Sequence, residues 1–297
     1  MSSYDPHVAK NPTNLVHLTG TILYDIGNEH GRIIGIGTKE RGRKFDEEFR
    51  IIPKEGVFVE TQTIGKVVTV VGSINQDKIW APAMIYTAEI VDDERVGKYS
   101  TSMNGEKYDG AVIDSHFISA DGLINHEQNP NEIERTSLCN VSLHTVGPRV
   151  IGSSYNRKTI LYIPCKLDNG TEILLQLADA FASSRAEKNM VEGCILFAKG
   201  CTIDRLYKQS IGDKIVELAT KHPVLDENGN EIVLFDEENN SETALTVSSH
   251  GYMISPKYWR GYLGSDKKMT TKKLQRRAIT VNSSEQEEMI AQFNNEE

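Results

Sequence analysis

The run 64–74, IGKVVTVVGSI, constrains this 297-residue chain more than any other segment. It is rich in valine, and Gly65 and Gly72 flank its apolar centre, which is the composition of a buried strand. Residues 14–26 add a second strand of a different kind. Val16, Leu18, Gly20 and Ile22 fall on one face, and His17, Thr19 and Thr21 on the other, so one side is buried. A turn at Gly27-Asn28-Glu29-His30-Gly31 leads into 32–38, where Ile34 and Ile36 share a face. Gly42-Arg43-Lys44 marks another turn, and 45–52 reads as a third strand ended by Pro53. The fifth strand is expected at 79–91, where Pro82 implies an edge position or a bulge. Five strands in about eighty residues, the first long and interrupted by glycine, is the pattern of a small Greek-key barrel.

Residues 92–134 are polar and rich in turn signals, among them Asn104-Gly105 and Asn129-Pro130-Asn131. They read as a linker or excursion with one or two short strands near 111–118. A second β unit starts after them. Strands are expected at 137–146, 158–167 and 172–177, then a helix over 179–190 with Asp179 as its N-cap, then a strand at 191–200. That order repeats the first barrel. A short helix is expected at 213–221 and a hairpin over 223–235, turning at Asp226-Glu227-Asn228-Gly229-Asn230. After an acidic loop at 236–242, a strand is expected at 244–254. The division that follows is a barrel at 1–92, a polar excursion at 93–134, a second OB-like β domain at 135–256, and a C-terminal arm at 257–297. The fold class is mainly β: one or two OB-like Greek-key barrels with short helices.

The segments Asn14-Leu15-Val16-His17-Leu18-Thr19-Gly20-Thr21-Ile22 and Gly65-Lys66-Val67-Val68-Thr69-Val70-Val71-Gly72-Ser73-Ile74 carry a resemblance. Residues 14–91 resemble single-stranded-DNA-binding proteins of the bacterial and phage OB-fold type. The resemblance implies a curved barrel face that binds an oligonucleotide without catalysis. Candidates for that face in the first barrel are Arg32, Arg43, Lys44, Arg50, Trp80 and Tyr86. In the second they are Arg149, Tyr155, Arg157, Lys158 and Tyr162.

Charge supports a local site of the same kind. The chain is acidic, with a net charge of −9. Yet 257–277 holds Lys257, Arg260, Lys267, Lys268, Lys272, Lys273, Arg276 and Arg277 against Asp266 alone, a net of +7. Tyr258, Trp259 and Tyr262 lie among them. Cations pair with phosphates and ring faces stack on bases, so this mixture suits a flexible nucleic-acid strand. From 278 onward there are five acids and no base. Ser284 and Glu287 there fit a capping box, and Met289, Ile290 and Phe293 form an apolar stripe. With Glu287, these residues make a candidate partner-binding tail. The resembled family also ends in an acidic tail that contains phenylalanine, and through it recruits replication and repair proteins. Here Asn294-Asn295-Glu296-Glu297 follows Phe293, whereas those tails finish on the aromatic.

Other chemistry is weaker. Lys107-Tyr108-Asp109-Gly110 has the K-x-D-G form of a nucleotidyl-lysine motif, and Glu192-Gly193 could be its downstream companion. The arginine expected after the glycine is Val112, however. Asp114-Ser115-His116 with His126 has no spacing that enforces a metal site. No dinucleotide fingerprint or nucleophile elbow is present, so no cofactor is expected. The four cysteines form no C-x-x-C pair and read as buried thiols of a reducing cytoplasm. There is no signal-peptide pattern and no apolar run of membrane-spanning length. The reading is a single-stranded nucleic-acid-binding protein, DNA in preference to RNA, working in replication, recombination or repair. A β-rich viral assembly protein and a ligase-like enzyme using Lys107 are the alternatives. The sequence leaves open the oligomeric state and whether DNA or RNA is the strand bound.

Overall fold

The computed structural model describes residues 14–263, apart from 39, 42–43, 46, 58–59, 92–93, 128–132, 148–149, 154–158, 179–193, 207–219 and 237–239. Among the described residues the regular structure is all strand. The helix expected over 179–190 lies outside them, as does most of the one expected over 213–221.

Five strands close the first barrel. β1 (Asn14–Asn28) is antiparallel to β2 (Gly31–Gly37), and β2 to β3 (Glu48–Pro53). β3 runs parallel to β5 (Gly110–Asn125), which puts Ile51 opposite Ile118. β5 is antiparallel to β4 (Val67–Pro82), and β4 returns to β1 with Val16 opposite Gly72. One parallel contact in an otherwise antiparallel ring, β1-β2-β3-β5-β4-β1, is the OB arrangement. The ring closes tightly at Gly72, where a Cβ atom would stand 2.2 Å from the Ser119 carbonyl oxygen. That is why a glycine interrupts the valines of this strand.

The second barrel repeats the order. β6 (Thr136–Thr145) pairs with β7 (Thr159–Leu167), and β7 with β8 (Glu172–Ala178). β8 runs parallel to β10 (Gly251–Ser255), β10 is antiparallel to β9 (Cys194–Leu206), and β9 to β6. β11 (Tyr258–Leu263) continues β10 along β9 after a break at Pro256-Lys257.

Matching registers relate the two rings. Ile51, Ile118 and Ile74 line up across the first as Leu175, Ile254 and Ile203 do across the second. The barrels join through β1 and β6, which pair antiparallel with Asn14 opposite Val141, Leu18 opposite Ser137, and Val16 opposite its own counterpart Cys139. This is a pseudo-two-fold interface within one chain. Equivalent side chains do equivalent work at it. The Asn14 amide accepts from Ile74 N (3.0 Å) and donates to Ile74 O (2.8 Å), and the Ser137 hydroxyl donates to Ile203 O (2.7 Å). One buried cluster runs from Val16 and Leu18 through Cys139 and Val141 to Tyr252 and Ile254.

Three expectations change. The run 79–91 is not one barrel strand. Ile79–Pro82 ends β4, and Met84–Val91 turns back against Glu94–Thr101 as a hairpin. The polar residues Gln76, Asp77 and Lys78 look like a break in sequence, but they lie where β4 and β5 extend as a ribbon. The stretch 93–134, expected as a linker or excursion, supplies β5, so the first barrel extends past 92. Residues 244–254 are shared among the short strands Ser241–Ala244 and Thr246–Ser248 and β10, which lie in three different sheets.

Candidate nucleic-acid interface

The basic-aromatic block does not start outside the barrels, as its position in the sequence implies. Its first residues form β11, with Tyr258 opposite Lys199, Trp259 opposite Ala198, Arg260 opposite Phe197 and Tyr262 opposite Ile195. β9 is long enough to hold β10 at one end and β11 at the other. Lys267, Lys268, Lys272, Lys273, Arg276 and Arg277 lie outside the described residues, as do Glu287, Met289, Ile290 and Phe293 of the tail.

The groove residues expected in the first barrel divide. Arg32 on β2 forks onto Asp25, with Nε 2.8 Å from Oδ1 and Nη2 2.6 Å from Oδ2, and this bond raises its pKa. Its Nη2 also donates to Glu60 O at 2.7 Å, so Arg32 fastens the loop after β3. Arg50 does not lie on an exposed barrel face: it is 2% exposed. It donates to Ser248 O (2.9 Å), at the end of the strand Thr246–Ser248, and to the Ser115 hydroxyl (3.3 Å) on β5. Lys44 lies in the short strand Lys44–Phe45 and Tyr86 in the Met84–Val91 hairpin. Arg43, Arg149, Tyr155, Arg157 and Lys158 lie outside the described residues, and Tyr162 is buried with Ile160, Leu174 and Leu206.

Trp80 is half-buried on β4, opposite Val112. A Cβ on Gly110 would stand 2.5 Å from its ring, so the glycine is what lets the indole lie against β5. Val112 beside it is 55% exposed. Of the aromatic candidates whose side chains are described, Trp80 is the one at the surface.

Arg50 belongs to a polar cluster that no sequence motif announces. Glu48 is its hub, accepting from the Tyr24 hydroxyl (2.6 Å) and Arg205 Nη1 (3.2 Å), with Arg50 Nε at 3.8 Å. Arg205 Nη1 also donates to His250 Nε2 at 2.9 Å, which requires a lone pair there and so a neutral imidazole. Burial, then the charges of Arg50, Arg205 and His116, hold the His250 pKa well below its ordinary value. Burial lowers Arg205 too, and burial and Glu48 push the Tyr24 phenol well up. A cavity of about 250 Å³ opens onto Glu48, Arg50, Arg205 and His250. The partners are 157 residues or more apart in places, such as Glu48 and Arg205, so only the fold assembles them.

The remaining motifs take structural places. Lys107 stands on the hairpin Met103–Asn104/Lys107–Tyr108, its side chain 86% exposed, 3.4 Å from Glu227. The Asp109 carboxylate is buried and accepts from the Ser102 hydroxyl at 2.5 Å. His116 is buried with its ring nitrogens facing the carbonyls of His250 (2.8 Å) and Glu172, while His126 Nε2 meets the Thr69 hydroxyl at 2.7 Å. The two histidines do not converge. Cys139, Cys165 and Cys201 are buried free thiols, and Cys139 faces Cys201 across β6 and β9.

No family model matches the sequence, and no curated protein matches it. Among solved structures, the chain is similar to the wild-type single-stranded DNA binding protein from Thermus aquaticus, with 8% identity and a TM-score of 0.43 over 88% of this chain and 98% of that one. A deletion mutant of that protein gives 10% identity and a TM-score of 0.47, over 87% and 98%.

Proposed function

We propose that this protein binds single-stranded nucleic acid, DNA in preference to RNA, and acts without catalysis in replication, recombination or repair. The observation that carries the reading is the seating of the basic-aromatic block. A segment that would otherwise be a free charged arm starts as β11 on the sheet of an OB barrel. Phosphates would track the cations from Lys257 onward while bases stack on rings, an arrangement tolerant of sequence. Trp80 on the first barrel supplies a second stacking surface. The acidic tail around Glu287 and Phe293 would compete for the basic block or recruit a replication partner.

Anisotropy titration of a labelled oligonucleotide tests this. Binding should weaken steeply with salt, with a log–log slope of about −6 if all eight cations of the block meet phosphates. Absence of binding at low salt would sink the reading. Removing 264–297 while keeping β11 should flatten the slope, and an unchanged slope would place the phosphate contacts elsewhere.

A further inference from the structure

Between Lys221 and Lys257 the chain has seven acids and no lysine or arginine. This stretch holds the later part of the excursion between β9 and β10 and then β10 itself, and the part before β10 leans on the first barrel. Val224, Leu245 and Val247 pack with Tyr24, Ile26, Ile33 and Ile79, and Ile232 and Leu234 lie against the same cluster. The next element, the ribbon Val233–Asp236/Ser241–Ala244, is inverted in polarity. Its inward positions are already filled by Ile232 and Leu234, yet Val233 and Phe235 on the other face are 47% and 58% exposed. Among the described residues neither strand of the ribbon pairs with a third. A two-stranded ribbon with apolar side chains outward and open edges is a surface to which an extended segment can add.

Charge selects the occupant. A phosphate backbone is repelled by the stretch 222–256, with seven acids and no lysine or arginine, whereas a basic segment with apolar side chains is attracted. Residues 264–277 are such a segment: six bases, one acid, and Met269 and Leu274 among them. The topology favours a neighbouring chain over the same one. Leu263 ends β11 opposite Cys194, at the start of β9, whereas the acidic excursion leaves β9 after Leu206. The 13 residues of β9 span up to about 43 Å. Residues 264–277 reach about 49 Å when fully extended. A return within one chain to the point where the excursion leaves β9 would consume nearly all of that reach, and docking on a second copy consumes none.

We infer that the paired strands Val233–Asp236 and Ser241–Ala244 are a docking surface for residues 264–277 of a second copy of this chain. The two contact patches differ, and the chain departs toward them from opposite ends of β9, so the contact is head-to-tail and open-ended. It needs no nucleic acid, which separates it from the function proposed above.

Sedimentation of the full chain without nucleic acid tests it. Mass should rise with protein concentration at low salt and return to that of one chain at high salt. Val233→Ser with Phe235→Ser lies on the outer face and should leave the thermal melt unchanged while weakening association about tenfold or more. Neutralising Lys267, Lys268, Lys272 and Lys273 to Gln should do the same. Mixing the two variants restores one contact per pair, so two-chain complexes and nothing larger should form. Monomers at low salt, both in the full chain and in a chain ending at residue 282, would overturn the inference. So would association of either variant at wild-type strength, or a mixture that yields no two-chain complex.

Discussion

The two seams between the barrels are related by the pseudo-two-fold and differ in chemistry. Register places Glu48, Arg50, Arg205 and His250 of one seam where Glu172, Leu174, Gln76 and Asp114 stand in the other. In the first, Arg205 Nη1 meets Glu48 at 3.2 Å inside the molecule. In the second, the equivalent contact is Glu172 N donating to Gln76 Oε1 at 3.2 Å, exposed and neutral. The third strands show the contrast most sharply. Arg50 and Leu174 hold the same position and are buried alike, at 2% and 1%. One sits among carboxylate, hydroxyl and carbonyl groups, the other among Ile160, Tyr162 and Leu206. Strand order therefore fixes that the position is covered, and the covering element decides whether a charge is tolerated there. The excursion before β10 provides the Ser248 carbonyl for Arg50 and the His250 ring for Arg205.

Exchanging the two residues is the strongest way to break this pairing. Leu174→Arg would bury an unpaired cation in an apolar cluster and should cost about 4 kcal/mol or more, enough to prevent folding. Soluble expression and a denaturant midpoint measure it, and a stable variant would show that the seams are interchangeable. Arg50→Leu should cost about 3 kcal/mol, because Glu48 and the Ser248 carbonyl lose a buried partner. A loss below about 1 kcal/mol in urea unfolding would mean that Tyr24 and Arg205 satisfy Glu48 without it.

Acid should act chiefly on the first seam. His250 is neutral in the folded protein and its pKa is depressed, by burial first and by Arg50, Arg205 and His116 after it. Glu48 faces it at 3.9 Å and the buried Tyr252 hydroxyl is nearby in the same cluster. The unfolded chain binds the proton more readily, so stability is unaffected above the ordinary value of 6.5 and falls as pH drops below it. The slope should be about 1.4 kcal/mol per pH unit for this ring, with a further share from His116, which burial also lowers. His250→Gln should flatten the slope between pH 6.5 and the folded value; an unchanged slope would assign it elsewhere. The smallest effect belongs to the second seam: Gln76→Ala should change stability by about 0.5 kcal/mol or less. A larger loss would show that this seam also bears on how the barrels are joined.

Much of the barrel strands was legible. Residues 14–26, 64–74, 158–167 and 172–177 carry alternation or valine runs strong enough to mark β1, β4, β7 and β8. β5 was legible only as a short strand near 111–118, because its Asp114, Ser115 and His116 are spent on the seam and its Asp121 on a bulge between Ala120 and Gly122, so the period fades where the strand is most used. Arg50 was misplaced for a related reason. A cation that alternates with Phe49 and Ile51 reads as solvent-facing, and nothing within several residues says that another unit will cover it.

By itself the sequence determined the β class, the repeated strand pattern, and the concentration of positive charge and rings at 257–277. These are local properties, set by period, turn residues and composition over ten to twenty positions. Only the tertiary structure decided that β1 and β6 fuse the barrels, that Glu48 meets Arg205, and that the basic block starts as a strand on β9. Each of those depends on residues far apart in the chain, and their pairing is fixed by ring closure and burial that no short window contains.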